Sequence, residues 1–327
     1  MARYDEVLSQ GTTRVLRLTL DIPIPGYREF ITPWLIAEGA SGQGMSRSIL
    51  VDPGPACGIP SLLDCLREMG IGRLDYVLLT HVHVDHAGGV GPLASAFPDL
   101  KVLAHPRGRP HLLDPTRLWE STVRTLGDVA LAYGEMPPLP EYNLLPEGHE
   151  VEGVSVIDTP GHAPHHQSYL YSCGGGPAGG STGDRDSGRA ALFAGEAASI
   201  YLHGTYIRPA TPPRFLYDVY VGSLAKLAEM EASLICYGHH GCSAEVKPLV
   251  EAAGAQLASW RDTVSEAIEN SGIVDAEGLV TACLDRLLRE DKRLAEFRHM
   301  PPDIQDRETF FLRSSIRGFM GYLLPDR

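Results

Sequence analysis

The sequence HVHVDH, residues 81–86, places three imidazoles and one carboxylate within six residues. It directly follows residues 76–79, an apolar stretch that is typical of a buried strand. Side chains alternate between the two faces of an extended backbone, so His81 and His83 can bind the same ion. Where the chain then turns, the carboxylate and the third imidazole can reach a second ion. Zinc-like ions accept imidazole nitrogen and carboxylate oxygen, and their catalytic sites keep one position for water.

The composition is that of a globular protein and argues against nucleic acid or a membrane as partner. Of the 327 residues, 43% are hydrophobic and 21% are charged, which allows a large core. A net charge of −13 is opposite to what a phosphate backbone attracts. No apolar stretch reaches the roughly 20 residues of a membrane span, and the first residues lack a secretory h-region. We therefore expect a cytoplasmic protein with a small-molecule substrate and reduced cysteines, and homo-oligomerisation stays open.

Short apolar runs bounded by turn residues predict strands in the first part of the chain. These runs are residues 15–20, 34–37, 48–51, 76–79, 101–104, 154–157, 168–171, 191–194 and 234–237. Apolar spacing predicts helices at 61–69, 117–133 and around 221–228, and the glycine-rich residues 173–184 are predicted as a mobile hairpin excursion. From about residue 244 only helical spacing remains. We predict an α/β metal-binding domain over residues 1–243 and a helical C-terminal region over residues 244–327.

Four clustered ligands rarely complete a two-metal centre, so further ligands are expected elsewhere in the chain. Three candidates each lie just after a predicted strand. They are His162 on a turn, Glu196 at the end of the next strand, and His239 after the last strand. A glycine precedes each of them, which suits close approach of the backbone to a ligand site. His240 competes with His239, and we favour His239 because it follows the glycine.

These motifs, taken in order, resemble the metallo-β-lactamase superfamily from about Trp34 to Gly241. The matching elements are Asp52-Pro53-Gly54, the run at 81–86, Thr159-Pro160-Gly161-His162, Gly195-Glu196 and Gly238-His239. The resemblance implies a four-layered αββα sandwich of the α/β (α+β) class, with metal ions at one edge between two sheets. The helical C-terminal region resembles that of the glyoxalase-II-like and lactonase-like branches.

The resemblance also implies a ligand set, carried over position by position. It assigns His81, His83 and His162 to a first metal, Asp85, His86 and His239 to a second, and Glu196 to a place between them. The bridging acid of this superfamily is commonly Asp, so Glu196 is a departure. Its longer side chain can still span ions about 3.5–4 Å apart if the backbone lies further back. Alternatively it binds one metal, or the second site is weak.

The function implied by the resemblance is that of a dinuclear metal-dependent hydrolase. Two divalent ions, zinc in the first place with iron or manganese as alternatives, lower the pKa of a shared water toward about 7. The resulting metal-bound hydroxide would attack a small ester, thioester or lactone. Asp85 is predicted to hold a metal and also to orient the water or accept its proton. The segment after Glu196 is predicted to contact the substrate through Tyr201, His203, Tyr206 and Arg208.

The sequence leaves three other functions open. The same ions could serve a phosphodiesterase or nuclease, although the acidic charge argues against nucleic acid. A similar ligand set with a single iron ion would give a persulfide dioxygenase-like oxidoreductase. A non-catalytic regulator would result if the helices after residue 244 closed the metal cleft.

Overall fold

The computed structural model of the protein describes residues 3–40, 43–173, 189–271 and 276–324. Within these ranges the strands are β1 (Arg3–Gln10), β2 (Thr13–Thr19), β3 (Trp34–Ala40), β4 (Gln43–Val51), β5 (Tyr76–Leu78), β6 (Lys101–Leu103), β7 (Val154–Asp158), β8 (Gln167–Ser172), β9 (Ala190–Gly195), β10 (Ile200–Leu202), β11 (Tyr206–Arg208), β12 (Leu234–Tyr237) and β13 (Cys242–Ser243). The α-helices are α1 (Ile59–Glu68), α2 (Val84–Ala87), α3 (Val90–Ala96), α4 (Arg109–Leu113), α5 (Thr116–Leu126), α6 (Asp128–Tyr133), α7 (Tyr217–Ala228), α8 (Val246–Ser271), α9 (Ala276–Glu290) and α10 (Pro302–Leu323).

Two sheets face each other and helices cover them, which confirms the predicted αββα sandwich. The first sheet has the strand order β1-β2-β3-β4-β5-β6 and the second has the order β13-β12-β9-β8-β7, with β10-β11 as a separate hairpin. In the first sheet β4, β5 and β6 run parallel, and in the second β9 and β12 run parallel. The carboxyl ends of these parallel strands carry the loops in which most of the candidate ligands lie.

The alternation of side chains along the strands builds the layers. On β3, Trp34 and Ile36 belong to the hydrophobic cluster between the sheets, whereas Leu35 belongs to the larger cluster that includes helix residues. The indole of Trp34 also joins the two sheets, because its Nε1–H donates to the carbonyl of Tyr237 at 2.8 Å. The Tyr169 hydroxyl makes a similar link by donating to the carbonyl of Leu79 at 2.7 Å.

The helices after residue 244 pack onto the sandwich instead of standing apart from it. Trp260 on α8 and Phe319 on α10 are fully buried and belong to the same hydrophobic cluster as residues of both sheets. The centroid of the Phe319 ring lies 4.9 Å from that of the Phe215 ring, in an edge-to-face arrangement. The domain boundary after residue 243 stays a prediction.

Two further features concern the whole described part of the chain. No helix within the described ranges combines the length and the apolar character that crossing a membrane requires. The six cysteines all lie in these ranges, and each is a free thiol.

The structure corrects one predicted helix and adds strands that the sequence pattern missed. The single helix predicted over residues 117–133 is wrong: α5 ends at Leu126 and α6 begins at Asp128. Gly127 between them has φ = 56°, a left-handed conformation that interrupts the helical hydrogen bonding. The hairpin β10-β11 was not predicted. The prediction for residues 173–184 lies outside the described residues from residue 174 onward.

Trp34→Phe should measurably weaken the contact between the sheets. The variant leaves the Tyr237 carbonyl without its indole donor and loses buried volume, so we expect the free energy of unfolding to fall by about 1–3 kcal/mol. Urea denaturation followed by circular dichroism measures this. Trp119→Phe on the partly exposed face of α5 is the control, with an expected change within about 0.5 kcal/mol. Equal losses in both variants would contradict the assigned role of Trp34.

Candidate metal centre

All seven candidate ligands lie at one edge of the sandwich, at the ends of strands from both sheets. Two come from the loop after β5, two from α2, one from the β7–β8 connection, and one each from the ends of β9 and β12. They form a first group, His81, His83, His162 and Glu196, and a second group, Asp85, His86 and His239. The ligand atoms within each group all lie within 4.8 Å of one another.

The first group has the dimensions of a tetrahedral site. The His83 Nδ1 atom lies 3.0 Å from His81 Nε2 and 3.0 Å from His162 Nε2. Nitrogen ligands 2.0–2.1 Å from a tetrahedral zinc ion are about 3.3 Å apart. Glu196 Oε2 is the fourth atom, 2.7 Å from His162 Nε2 and 3.2 Å from His81 Nε2. These atoms therefore fit one cation with little rearrangement.

The carboxylate of Glu196 lies between the two groups. While its Oε2 faces the first group, its Oε1 lies 3.3 Å from the Nε2 atom of His239 in the second. The Oε2 atom is also 3.8 Å from His86 Nε2. Each oxygen thus faces a different group, so the extra methylene of Glu relative to Asp does not take the carboxylate out of reach of either.

The second group contains a buried nitrogen that calls for a ligand. Asp85 Oδ2 lies 3.8 Å from His86 Nε2 and 3.7 Å from His239 Nε2. His86 Nε2 is buried and makes no hydrogen bond to any described residue. Leaving such an atom without a partner costs about 1–3 kcal/mol. A divalent cation would satisfy it, and two imidazoles with a carboxylate are a suitable donor set for zinc or iron.

Fixed acceptors orient four of the imidazoles through their Nδ1 atoms. These contacts are His81 to Thr80 Oγ1 at 3.0 Å, His86 to Asp52 Oδ2 at 3.0 Å, His162 to the Ala210 carbonyl at 2.9 Å and His239 to the Phe30 carbonyl at 3.2 Å. Because a carbonyl oxygen only accepts, His162 and His239 each carry a proton on Nδ1, and in the neutral form of the ring the Nε2 lone pair faces the cluster. Such outer contacts fix the tautomer and the ring orientation of metal-binding histidines.

Asp52 supports one ligand in each group. Its Oδ1 accepts the backbone N–H of Thr80 at 2.8 Å, and its Oδ2 accepts the Thr80 hydroxyl at 2.6 Å. That hydroxyl in turn holds His81, while Oδ2 also holds His86. The sequence motif included Asp52 without indicating this role. Backbone acceptors such as the Phe30 carbonyl could not have been found from sequence, because their contribution does not depend on the type of side chain.

The electrostatics keep most of the first group in its metal-binding form. Burial and the neighbouring imidazoles hold the pKa of His81 well below its ordinary value, and burial together with His162 lowers the pKa of His83 to about 4. Burial disfavours the ionised form of Glu196, yet the charge and hydrogen bond of His162 hold its pKa well below the usual range. Neutral imidazole and ionised carboxylate are the forms that bind a cation.

His86 behaves in the opposite way. Burial alone would lower its pKa, but the carboxylates of Asp85 and Asp52 outweigh burial and raise the pKa of His86 to about 10. The surroundings of this imidazole therefore favour positive charge at Nε2, where a cation could replace the proton.

Two glycines allow the strand ends to approach the cluster closely. A Cβ atom on Gly195 would lie 2.6 Å from His166 Nε2, and one on Gly238 would lie 2.7 Å from His86 Cε1. His166 Nε2 accepts the backbone N–H of Glu196 at 3.1 Å, so His166 helps to position this carboxylate.

His240 and the four predicted substrate contacts lie outside both groups. The ring of His240 is held through Nδ1, 2.9 Å from the Glu29 carbonyl, which leaves His239 as the member of the second group. His203 is exposed, and the Tyr201 hydroxyl donates to the Gly204 carbonyl. Tyr206 is fully buried, and buried Arg208 donates to Glu308 Oε2 at 2.6 Å. Burial and pairing favour structural roles for Tyr206 and Arg208, and substrate contact stays a prediction for all four.

A family model described as "Metallo-beta-lactamase superfamily" matches residues 29–239. The chain is 29% identical over 213 residues to the metallo-beta-lactamase fold-containing protein ST1585 of Sulfurisphaera tokodaii, covering 61% of this chain and 70% of that protein. It is 29% identical to the hydroxyacylglutathione hydrolase of Cupriavidus taiwanensis over 74% of this chain and 75% of the relative. It is also 29% identical to the atrochrysone carboxyl ACP thioesterase of Passalora fulva, where the match covers 56% of this chain and 47% of the relative.

A solved structure shows the same fold over nearly the whole chain. The metallo-beta-lactamase family protein TTHA1429 of Thermus thermophilus superposes with a TM-score of 0.61 at 21% identity, over 95% of this chain and 93% of that one. The helices after residue 244 therefore belong to the shared architecture.

Asp52→Asn should weaken metal binding at both groups. The amide keeps the shape of the side chain but cannot accept all three hydrogen bonds, so the supports of His81 and His86 are lost together. We expect metal affinity to fall about 10–100-fold, measured by metal analysis after dialysis against metal buffers. Asp75→Asn is a matched control, because Asp75 also accepts backbone and hydroxyl hydrogen bonds, from Ser48, but holds no candidate ligand. An unchanged affinity in Asp52→Asn would refute the assigned support.

Proposed function

The chain belongs to the metallo-β-lactamase superfamily, and we propose that it is a dinuclear metal-dependent hydrolase of small esters, thioesters or lactones. The observation that carries the proposal is the position of Glu196, with one carboxylate oxygen facing each of two ligand groups. The unpartnered Nε2 of His86 among the described atoms adds to it. Zinc is the ion that we propose first, with iron or manganese as the alternatives that the same donors accept.

Each ligand has a role in this proposal. His81, His83 and His162 would hold one ion, Asp85, His86 and His239 the other, and Glu196 would bridge them. When bound, two such ions lower the pKa of a shared water toward about 7 and polarise an acyl oxygen. No serine or cysteine nucleophile is then needed, so no covalent acyl–enzyme is expected.

Asp85 is the carboxylate best suited to accept a proton from water. Its side chain is 20% exposed, whereas that of Glu196 is 9% exposed. Both oxygens of Glu196 face imidazoles, which leaves that carboxylate committed to holding the cluster. Asp85 offers an oxygen on the more open side of the second group, where it can orient a water molecule and take its proton.

The names of the relatives favour acyl substrates. One relative is named a hydroxyacylglutathione hydrolase and another an ACP thioesterase, so acyl thioesters are the first class to test. We propose a small-molecule substrate, since the net charge of −13 does not favour nucleic acid.

The proposed reaction is tested with a panel of acyl thioesters and lactones on the metal-loaded protein. We expect acid release from at least one of them, and His81→Ala and His83→Ala should each reduce kcat/KM more than about a hundredfold, since loss of a mere outer contact already costs about 10–100-fold. His149→Ala, at an exposed position, is the matched control and should keep full activity. Faster cleavage of bis-p-nitrophenyl phosphate, or oxygen uptake with an iron-loaded sample, would favour the phosphodiesterase or the dioxygenase function instead.

Asp85→Asn separates the proton-accepting role from metal binding. We expect kcat to fall about 10²–10⁴-fold, because the amide cannot accept the proton. Metal analysis of the same sample must show that both groups are still loaded, above all the second group, to which Asp85 belongs. A variant with wild-type kcat and full metal content would show that Asp85 is not the base.

A further inference from the structure

The loop between β2 and β3 contacts the metal centre and the C-terminal helix α10 at the same time. On the side of the metal centre, the Phe30 carbonyl accepts from His239 Nδ1 at 3.2 Å. The Phe30 ring also stacks on the His239 imidazole, with centroids 4.1 Å apart and planes inclined by 17°. The same residue thus fixes both the tautomer and the plane of one candidate ligand.

On its other face, the Phe30 ring is covered by α10. The Arg307 guanidinium carbon lies 4.0 Å from the centroid of the Phe30 ring. Because the His239 centroid is equally close to that centroid, the imidazole and the guanidinium must occupy opposite faces of the ring. Arg307, Phe30 and His239 form a three-layer stack, which we call the His239 stack.

Buried polar contacts hold Arg307 in this position. Its Nη1 donates to the Gly26 carbonyl at 2.5 Å, and its Nε donates to Glu308 Oε1 at 3.0 Å. The other oxygen of Glu308 accepts from Arg208 on β11 at 2.6 Å. The Arg307 side chain is 3% exposed and that of Glu308 is fully buried. A guanidinium held by these contacts in a buried position has little freedom to leave the Phe30 ring.

The start of α10 lies directly on the same loop. The Gly26 backbone N–H donates to Asp303 Oδ2 at 2.9 Å, and Arg28 forms an ion pair with the same carboxylate. Gly26 has φ = 81°, and a Cβ atom at this position would lie 2.2 Å from the Asp303 carbonyl oxygen. Any larger residue at position 26 would push α10 and the loop apart. The loop is therefore held between α10 and His239.

We propose that Phe30 and Arg307 are positioning residues for His239, so that the contact between Arg307 of α10 and the Phe30 ring determines the metal affinity of the second ligand group. This inference rests on the proposed dinuclear centre. It assigns the C-terminal region a function beyond covering the sandwich. The affinity of the first group should not depend on the stack, because His81 and His162 are oriented by Thr80 and Ala210 instead.

The test is a titration of chelator-stripped protein with Co²⁺, followed by visible absorption and calorimetry. Wild-type protein should bind two ions in separable events, and His162→Ala and His239→Ala identify which group each event belongs to. Phe30→Leu keeps the backbone carbonyl and an apolar side chain but removes the stacked ring. We expect it to weaken the event assigned to the second group about 10–100-fold and to leave the other unchanged. Arg307→Met should weaken the same binding event. In the double variant the loss of binding free energy should be smaller than the sum of the two single losses, because both residues act through one contact.

Two control variants separate positioning from general destabilisation. Phe215→Leu removes a buried ring that packs on α10 at Phe319, and Arg313→Met removes an arginine of α10 that pairs with exposed Glu277; neither touches a ligand. In the metal-free proteins, the unfolding temperature of Phe215→Leu should fall at least as far as that of Phe30→Leu. Both metal affinities of the two control variants should nevertheless equal those of the wild type.

Three results would overturn the proposal. In the first, the wild type binds two ions and Phe30→Leu binds both with the same affinities. This inference would then fail, and the proposed dinuclear centre would stand. In the second, both events weaken equally in Phe30→Leu and in Phe215→Leu, which would make the effect one of stability. In the third, wild-type protein takes up no second ion, and the proposed dinuclear centre fails together with this inference.

Discussion

The candidate metal centre depends first on the hydrogen bonds of Asp52. Asp52 lies just after β4, and its backbone has a left-handed conformation with φ = 51°. Its carboxylate accepts hydrogen bonds from Thr80 and His86 on the neighbouring segment. A non-glycine residue in that conformation costs of order 1–3 kcal/mol and persists only when its surroundings fix it. Three buried hydrogen bonds do so here. They join the ends of two parallel strands and orient one imidazole in each ligand group.

The rest of the site follows from how the two sheets are held together. The side chains of the first ligand group come from both sheets, so a change in the distance between the sheets would separate His81 and His83 from His162 and Glu196. Trp34 and Tyr169 oppose such a change through hydrogen bonds that cross the layer between the sheets. Well-packed interiors transmit small displacements instead of absorbing them. The 3.0 Å distance between His83 Nδ1 and His162 Nε2 therefore depends on how the two sheets pack.

The C-terminal helices extend the same principle. α10 contacts the loop that carries Phe30, and the Glu308 carboxylate links Arg307 of that helix to Arg208 of the hairpin after Glu196. Buried charges in such an arrangement are tolerated because each has a partner, and removing one partner is strongly destabilising. The region after residue 244 is thus joined to the ligand-bearing loops by polar contacts as well as by apolar packing.

The sequence alone indicated the candidate ligands, most strands and the helical C-terminal region. These depend on local information: residues 81–86 hold four ligands within one loop and short helix, and apolar runs report which segments are buried. The prediction of one helix over residues 117–133 failed because apolar spacing continues through Gly127. The hairpin β10-β11 was not predicted, although the equally short strands β5 and β6 were.

Only the tertiary structure decided what holds the ligands in place. His239 is oriented by a carbonyl 209 positions earlier in the chain, and Arg307 reaches a carbonyl 281 positions away. A backbone carbonyl has the same chemistry at every position, so no residue type marks it in advance. Likewise the place of Glu196 between the groups depends on the spacing of two sheets, which no local pattern encodes. The sequence motifs supply the candidate ligands, and the packing of the two sheets and the helices orients them.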